Sequence, residues 1–139
     1  QALALETGLE PIRACMETHL YGPLRLCQQA VPLMRRNGFG RIVNVSTALA
    51  QLAEMQGGFA GYRLSKVALN ALTRIIAAEV RGDNILVNAV NPGWVRTRMG
   101  GGQAQRTPAE AVRGVTWLAT VDESGPNGGF YQDRMAVNW

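Results

Sequence analysis

The sequence predicts an α/β fold carried by a doubly wound parallel sheet, and three observations predict it. Two short β-branched runs, at 41–47 and 85–90, alternate with longer segments whose apolar residues recur at helical spacing. Each run ends in a turn of small residues or Asn-Pro-Gly. The stretch separating the runs is long enough for the crossover helix that parallel strands need. With 139 residues, 47% of them hydrophobic and 17% charged, the chain suits one domain over 1–139 around one core.

Taken in order, the opening residues 1–10 begin in mid-pattern, without an initiator methionine or a first strand, as in a chain entered partway through. From 11 to 34, Ile12, Met16, Leu20, Leu24, Leu26, Val31 and Leu33 recur mostly at helical spacing, and Asn37-Gly38 is the stop. Gly22-Pro23 falls inside this stretch, where proline removes a donor, so one kinked helix is expected. Residues 41–47 read as a buried strand, and Gly57, Gly58 and Gly61 punctuate the loop after it. A helix covered on two sides follows over 62–81, then the strand 85–90. Thr107-Pro108-Ala109-Glu110 is a capping box with proline at the first helical position, opening a helix to about residue 120. Phe130-Tyr131 is a last short strand.

Several classes of function lack support. No apolar run approaches the roughly 18 residues of a membrane span, and no leader pattern is visible, so a soluble, cytoplasmic protein is expected. The net charge of +4 is scattered, with only Arg35 and Arg36 adjacent, and nucleic acid is not an expected partner. Cys15 and Cys27 belong to no CxxC or Cys/His cluster, which leaves metal sites and disulfides without support. A G-x-S-x-G turn is missing as well.

In open parallel sheets ligands bind beyond the carboxyl ends of the strands. The residues there are Ser46-Thr47 and the run Asn91-Pro92-Gly93-Trp94-Val95-Arg96-Thr97. Between them, Tyr62 and Lys66 stand four apart on one helix face, where an ammonium can alter a phenol's acidity. Helix faces carry Tyr and Lys for solubility more often than for catalysis, so this spacing decides nothing alone.

The joint pattern resembles the C-terminal part of the short-chain dehydrogenase/reductase family, of the carbonyl-reductase-like kind. The matching segments are HLYGPLRLCQ, GRIVNVST, YRLSK, NILVNAVNPGWVRT and GGFYQDR, in that order over nearly the whole chain. The resemblance implies a partial Rossmann-like fold and a carbonyl/alcohol oxidoreductase using NAD or NADP on a small substrate. By it, Tyr62 is the general acid–base and Lys66 its partner and a ribose ligand. Thr47 falls on the family's strand-end serine, with Ser46 the alternative if the register shifts. Pro92, Gly93, Val95 and Thr97 line the nicotinamide and phosphate side, and Trp94 either touches substrate or cofactor or simply packs. A homodimer or homotetramer packed through the long helices is implied too.

There are two departures. His19 stands where the family usually has an asparagine holding a relay water; it is a titratable relay group or a packed polar residue. The family's TGxxxGxG turn is absent from these residues. The chain is therefore expected to be a catalytic and dimerising portion of such an enzyme, and the rival expectation is an inactive interaction module or a half-protein completed by another chain. An uncovered, apolar edge on the first strand is the structural expectation that goes with both.

Overall fold

In the computed structural model, which describes residues 3–139, four strands form one sheet in the order β1-β2-β3-β4. Gln1 and Ala2, part of the opening stretch 1–10, lie outside the described residues. β1 (Gly40–Val45) and β2 (Ile85–Val90) pair in parallel, with Val45 opposite Val90. β3 (Phe130–Gln132) adds in parallel beside β2. A fourth strand absent from the sequence reading, β4 (Met135–Ala136), folds back antiparallel on β3. The turn between them places Asp133 and Arg134 at φ 48° and 68°. Such hairpin turns are usually announced by Asn-Gly or a second glycine, and Asp-Arg carries no such signal.

The long first helix is interrupted in register rather than simply bent. α1 (Leu9–Met16) runs into a π-helical turn at Glu17–Tyr21 and on into α2 (Gly22–Asn37). A proline ring collides with the carbonyl four residues back. For Pro23 that carbonyl belongs to His19, and the wider turn just before the proline, with the Gly22 N–H donating to the Glu17 carbonyl, accommodates it. Pro32, inside α2, leaves that helix continuous. Gly38 ends it in the left-handed region, at φ 65°.

α3 (Ala60–Glu79) begins two residues before the expected start, and α4 (Pro108–Thr120) has the expected capping box. Alternation along the strands divides the layers. Ile42, Ile85 and Val87 meet Cys27 and Val31 of α2 and Leu69, Leu72 and Ile76 of α3 in the main core. On the other face, a side chain at Gly114 of α4 would lie 3.2 Å from Val90, and Arg41 Nε donates to the Val121 carbonyl at 2.7 Å. Helices on both faces leave every residue of β2 buried. β1, at the sheet edge, is only partly covered: Arg41, Ile42 and Val43 are half-buried and Val45 is 45% exposed, so the strand expected to be buried is half so.

Candidate active site

Because β1 and β2 are parallel and in register, their carboxyl ends lie at one edge of the sheet, joined where the Ser46 N–H donates to the Val90 carbonyl at 2.8 Å. The first turn of α3 reaches this edge. Its approach is fixed by Arg63, 9% exposed, whose Nε donates to the Gly58 carbonyl at 3.0 Å and whose Nη1 donates to the Leu49 carbonyl at 3.1 Å. Phe59, at φ 53°, turns the chain into the helix.

Tyr62 and Lys66 are both half-buried there. The Lys66 Nζ donates to the Val45 carbonyl at 2.9 Å and lies 5.8 Å from the centre of the Tyr62 ring. An ammonium has three donors, so two remain after this bond. Burial pushes the Lys66 ammonium's pKa down. Burial also pushes the Tyr62 phenol up, a rise that the Thr47 side chain opposes without cancelling. The sequence had suggested a phenol made more acidic by the lysine. In the folded chain the ammonium is bound to the strand end, and desolvation of the phenolate dominates.

The two hydroxyls at the strand end separate clearly. Ser46 is 3% exposed and donates to Asn70 Oδ1 at 2.6 Å, within a polar seam where Asn44 Nδ2 donates to Thr73 Oγ1 at 2.9 Å. It is turned into the interface between β1 and α3. Thr47, half-buried, accepts from the Leu49 N–H at 3.3 Å and stands beside the phenol. His19, from the π turn, meets the same group: its ring stands edge-on to that of Tyr62, with centres 5.4 Å apart and planes at 88°. Its Nδ1 is 2.9 Å from Ser65 Oγ. Burial first, and the Lys66 charge second, lower its pKa.

Residues 92–97 follow β2 at the same edge of the sheet. Gly93 has φ 76°, and a side chain there would meet the Arg106 Cδ at 2.7 Å, so the turn admits close approach of other atoms only as glycine. Its N–H donates to Asn91 Oδ1 at 3.0 Å, and Pro92 beside it is half-buried. Arg106, which closes over the turn, is held by Asp133. Trp94 is 55% exposed and its indole N–H donates to the Gly100 carbonyl at 2.9 Å. Val95 bridges to Arg106, and the Thr97 hydroxyl accepts from the Gly100 N–H at 3.1 Å.

The fold thus gathers Lys66, Thr47 and His19 around Tyr62, sets residues 92–97 at the neighbouring strand end, and withdraws Ser46. Sequence reasoning passed over Ser65, Asn70, Arg63 and Arg106. Ser65 and Asn70 had a signal, since they share the Tyr62/Lys66 face of α3 at positions three and four residues on. Arg63 and Arg106 had none, because their partners are carbonyls and an acid distant or unmarked in the chain.

Residues 1–123 match the family described as Enoyl-(Acyl carrier protein) reductase. The chain belongs to the short-chain dehydrogenase/reductase family. Within that family it is carbonyl-reductase-like: it is 30% identical to mouse (Mus musculus) Carbonyl reductase [NADPH] 1, over 89% of this chain and 60% of the relative. The solved carbonyl reductase Sniffer of D. melanogaster superposes with a TM-score of 0.89 at 27% identity, covering 99% of this chain and 61% of that one. NADPH-bound carbonyl reductase from chicken fatty liver gives 0.85 at 28% identity, covering 98% and 60%. The chain therefore spans about 60% of the length of these short-chain dehydrogenase/reductase relatives.

Proposed function

We propose that this chain carries the carbonyl-reducing centre of an NADPH-dependent oxidoreductase acting on a small carbonyl or alcohol. The observation that carries this reading is the cluster at the sheet's carboxyl edge, where Tyr62, Thr47 and Lys66 converge with Lys66 tied to the end of β1. Preference for NADP over NAD rests on the relatives, one named for NADPH and one solved with it bound.

The residues suit the nicotinamide end of such a cofactor. Lys66 keeps two donors for ribose hydroxyls, and at the neighbouring strand end the left-handed Gly93 lets the Arg106 guanidinium stem close over the turn. Lys66 and Tyr62 would hold the ribose, with Pro92, Gly93, Val95 and Thr97 along the nicotinamide and phosphate side. When bound, the cofactor supplies hydride to the carbonyl carbon. Tyr62 transfers its phenolic proton to the carbonyl oxygen, giving the alcohol, and recovers a proton from solvent by way of Lys66 and His19. Thr47 holds the substrate oxygen in line with the phenol, and Trp94 borders the space for the substrate. A phenol kept neutral by burial is the form needed for donation, and positioned acid catalysis contributes about 10²–10⁴-fold.

The test is NADPH oxidation by a panel of aldehydes and ketones, with Tyr62→Phe beside the parent chain. Turnover should fall by about 10²–10⁴-fold in the variant, with NADPH affinity and the circular dichroism spectrum kept. Equal turnover in both would remove Tyr62 from the reaction.

A second reading, an inactive module that packs by its helices, draws on one observation. Leu26 and Leu33 of α2 and Leu64 and Ile75 of α3 are all more than half exposed. Such a surface fits a homodimer or homotetramer under either reading. Light scattering should give a mass of at least twice 15.0 kDa under both. Fluorescence titration separates them: saturable NADPH binding supports the enzyme, and its absence supports the module. A cytoplasmic setting agrees with two unpaired cysteines, Cys15 and Cys27.

A further inference from the structure

We propose that Ser65 is a positioning residue whose hydroxyl, by donating to the Tyr62 carbonyl, holds His19 as the Nδ1–H tautomer and leaves Nε2 as the imidazole's only proton acceptor. Ser65 is fully buried, and its Oγ has two close neighbours, the Tyr62 carbonyl oxygen at 2.8 Å and His19 Nδ1 at 2.9 Å. A hydroxyl owns one proton and two lone pairs. A carbonyl can only accept, so a 2.8 Å approach of the two oxygens requires the Ser65 proton to lie between them. The lone pairs of Ser65 are then what faces His19, and Nδ1 must carry the hydrogen. The opposite assignment points two lone pairs at each other within a fully buried contact, where water cannot relieve the repulsion.

The second ring nitrogen completes the argument. Nε2 makes no hydrogen bond within the described residues. Yet the one buried side-chain polar atom without a partner among them is Asn70 Nδ2, so Nε2 keeps access to solvent. The tautomer of a histidine follows the bond its other nitrogen makes. Fixed by Ser65, His19 offers solvent a lone pair at Nε2. The Nε2–H form could only donate there. The neutral state that this requires is favoured by burial and by the Lys66 charge. The other titratable groups nearby are Tyr62 on α3, Glu17 of the π turn, paired with Arg25, and Cys15, turned toward Gly61. A role for the Nε2 acceptor in turnover rests on the carbonyl-reducing reading; the tautomer itself does not.

The chain has one histidine, so a long-range proton–nitrogen NMR spectrum of the uniformly ¹⁵N-labelled protein reports His19 alone. At pH 8 the expected result is a protonated, pyrrole-type Nδ1 signal with an unprotonated, pyridine-type Nε2. Finding Nε2 protonated, or both nitrogens averaged by exchange, overturns the proposal. In Ser65→Ala the two signals should exchange character or average; an unchanged spectrum removes Ser65 as the cause. Ser65→Cys, a weaker acceptor of similar size, should give an intermediate shift, and a spectrum identical to the parent's would likewise count against it. The spectrum needs no turnover, so an inactive protein with the Nδ1–H tautomer would reject the carbonyl-reducing reading and keep this one.

Discussion

At the scale of single residues, the site is a set of groups whose charged forms are all disfavoured by burial. Tyr62 is pushed up, while Lys66 and His19 are pushed down. For His19 the sign of the stability effect follows directly. In the unfolded chain it titrates near its ordinary 6.5, above its folded value, so the unfolded state takes up the proton first. Its contribution is complete above about pH 6.5 and is lost as pH falls through the folded pKa. Urea unfolding at pH 7.5 and pH 5.5 should therefore show lower stability at pH 5.5, and His19→Asn should flatten that difference. A variant with the same slope as the parent would place the effect elsewhere.

At the scale of elements, the approach to α3 depends on a buried arginine. Arg63 holds the carbonyls of Leu49 and Gly58, one on either side of the loop from β1. Bonds from a charged donor are worth about 1.5–3 kcal/mol. Arg63→Met keeps most of the apolar stem and removes the donors, so it should cost about 2–3 kcal/mol and quicken amide exchange through residues 48–59. Stability within about 0.5 kcal/mol of the parent would show that the loop does not lean on this side chain. The π turn acts at the same scale: it arises from a backbone clash at Pro23, and it is also the element that carries His19 to Tyr62. The sequence contained Gly22-Pro23 and therefore the disturbance. Whether the helix would kink or widen depended on the packing of α1 against α3, which local sequence does not encode.

At the scale of the whole molecule, the last residues tie distant parts together. Trp139 stacks on Phe130, with ring centres 5.4 Å apart, under the Arg74 guanidinium, while its carbonyl accepts from the Leu52 N–H at 3.1 Å. Gln51 Nε2 donates to the Asn138 carbonyl at 2.8 Å, so the tail fastens the loop that precedes Tyr62. Loss of a fully buried Trp costs about 3–5 kcal/mol, and this half-buried one should cost about 2. Trp139→Ala should also raise amide exchange at Gln51 and Leu52 before the core strands; protection lost evenly across the sheet would contradict the strap.

By itself the sequence determined the alternation of helices and strands, the capping box at Thr107, the stop at Gly38, and the presence of Tyr62, Lys66 and strand-end hydroxyls at one edge of a parallel sheet. These follow from periodicity, turn chemistry and strand direction, which are local properties or direct consequences of chain order. Only the tertiary structure decided that Thr47 rather than Ser46 stands by the phenol, that Lys66 binds the end of β1, and that His19 and Ser65 meet across 46 residues of chain. Each of those choices turns on which of two neighbouring groups faces a partner on another element. That is settled by how α1, α2 and α3 pack on β1, where a buried polar atom must find its partner or go without one.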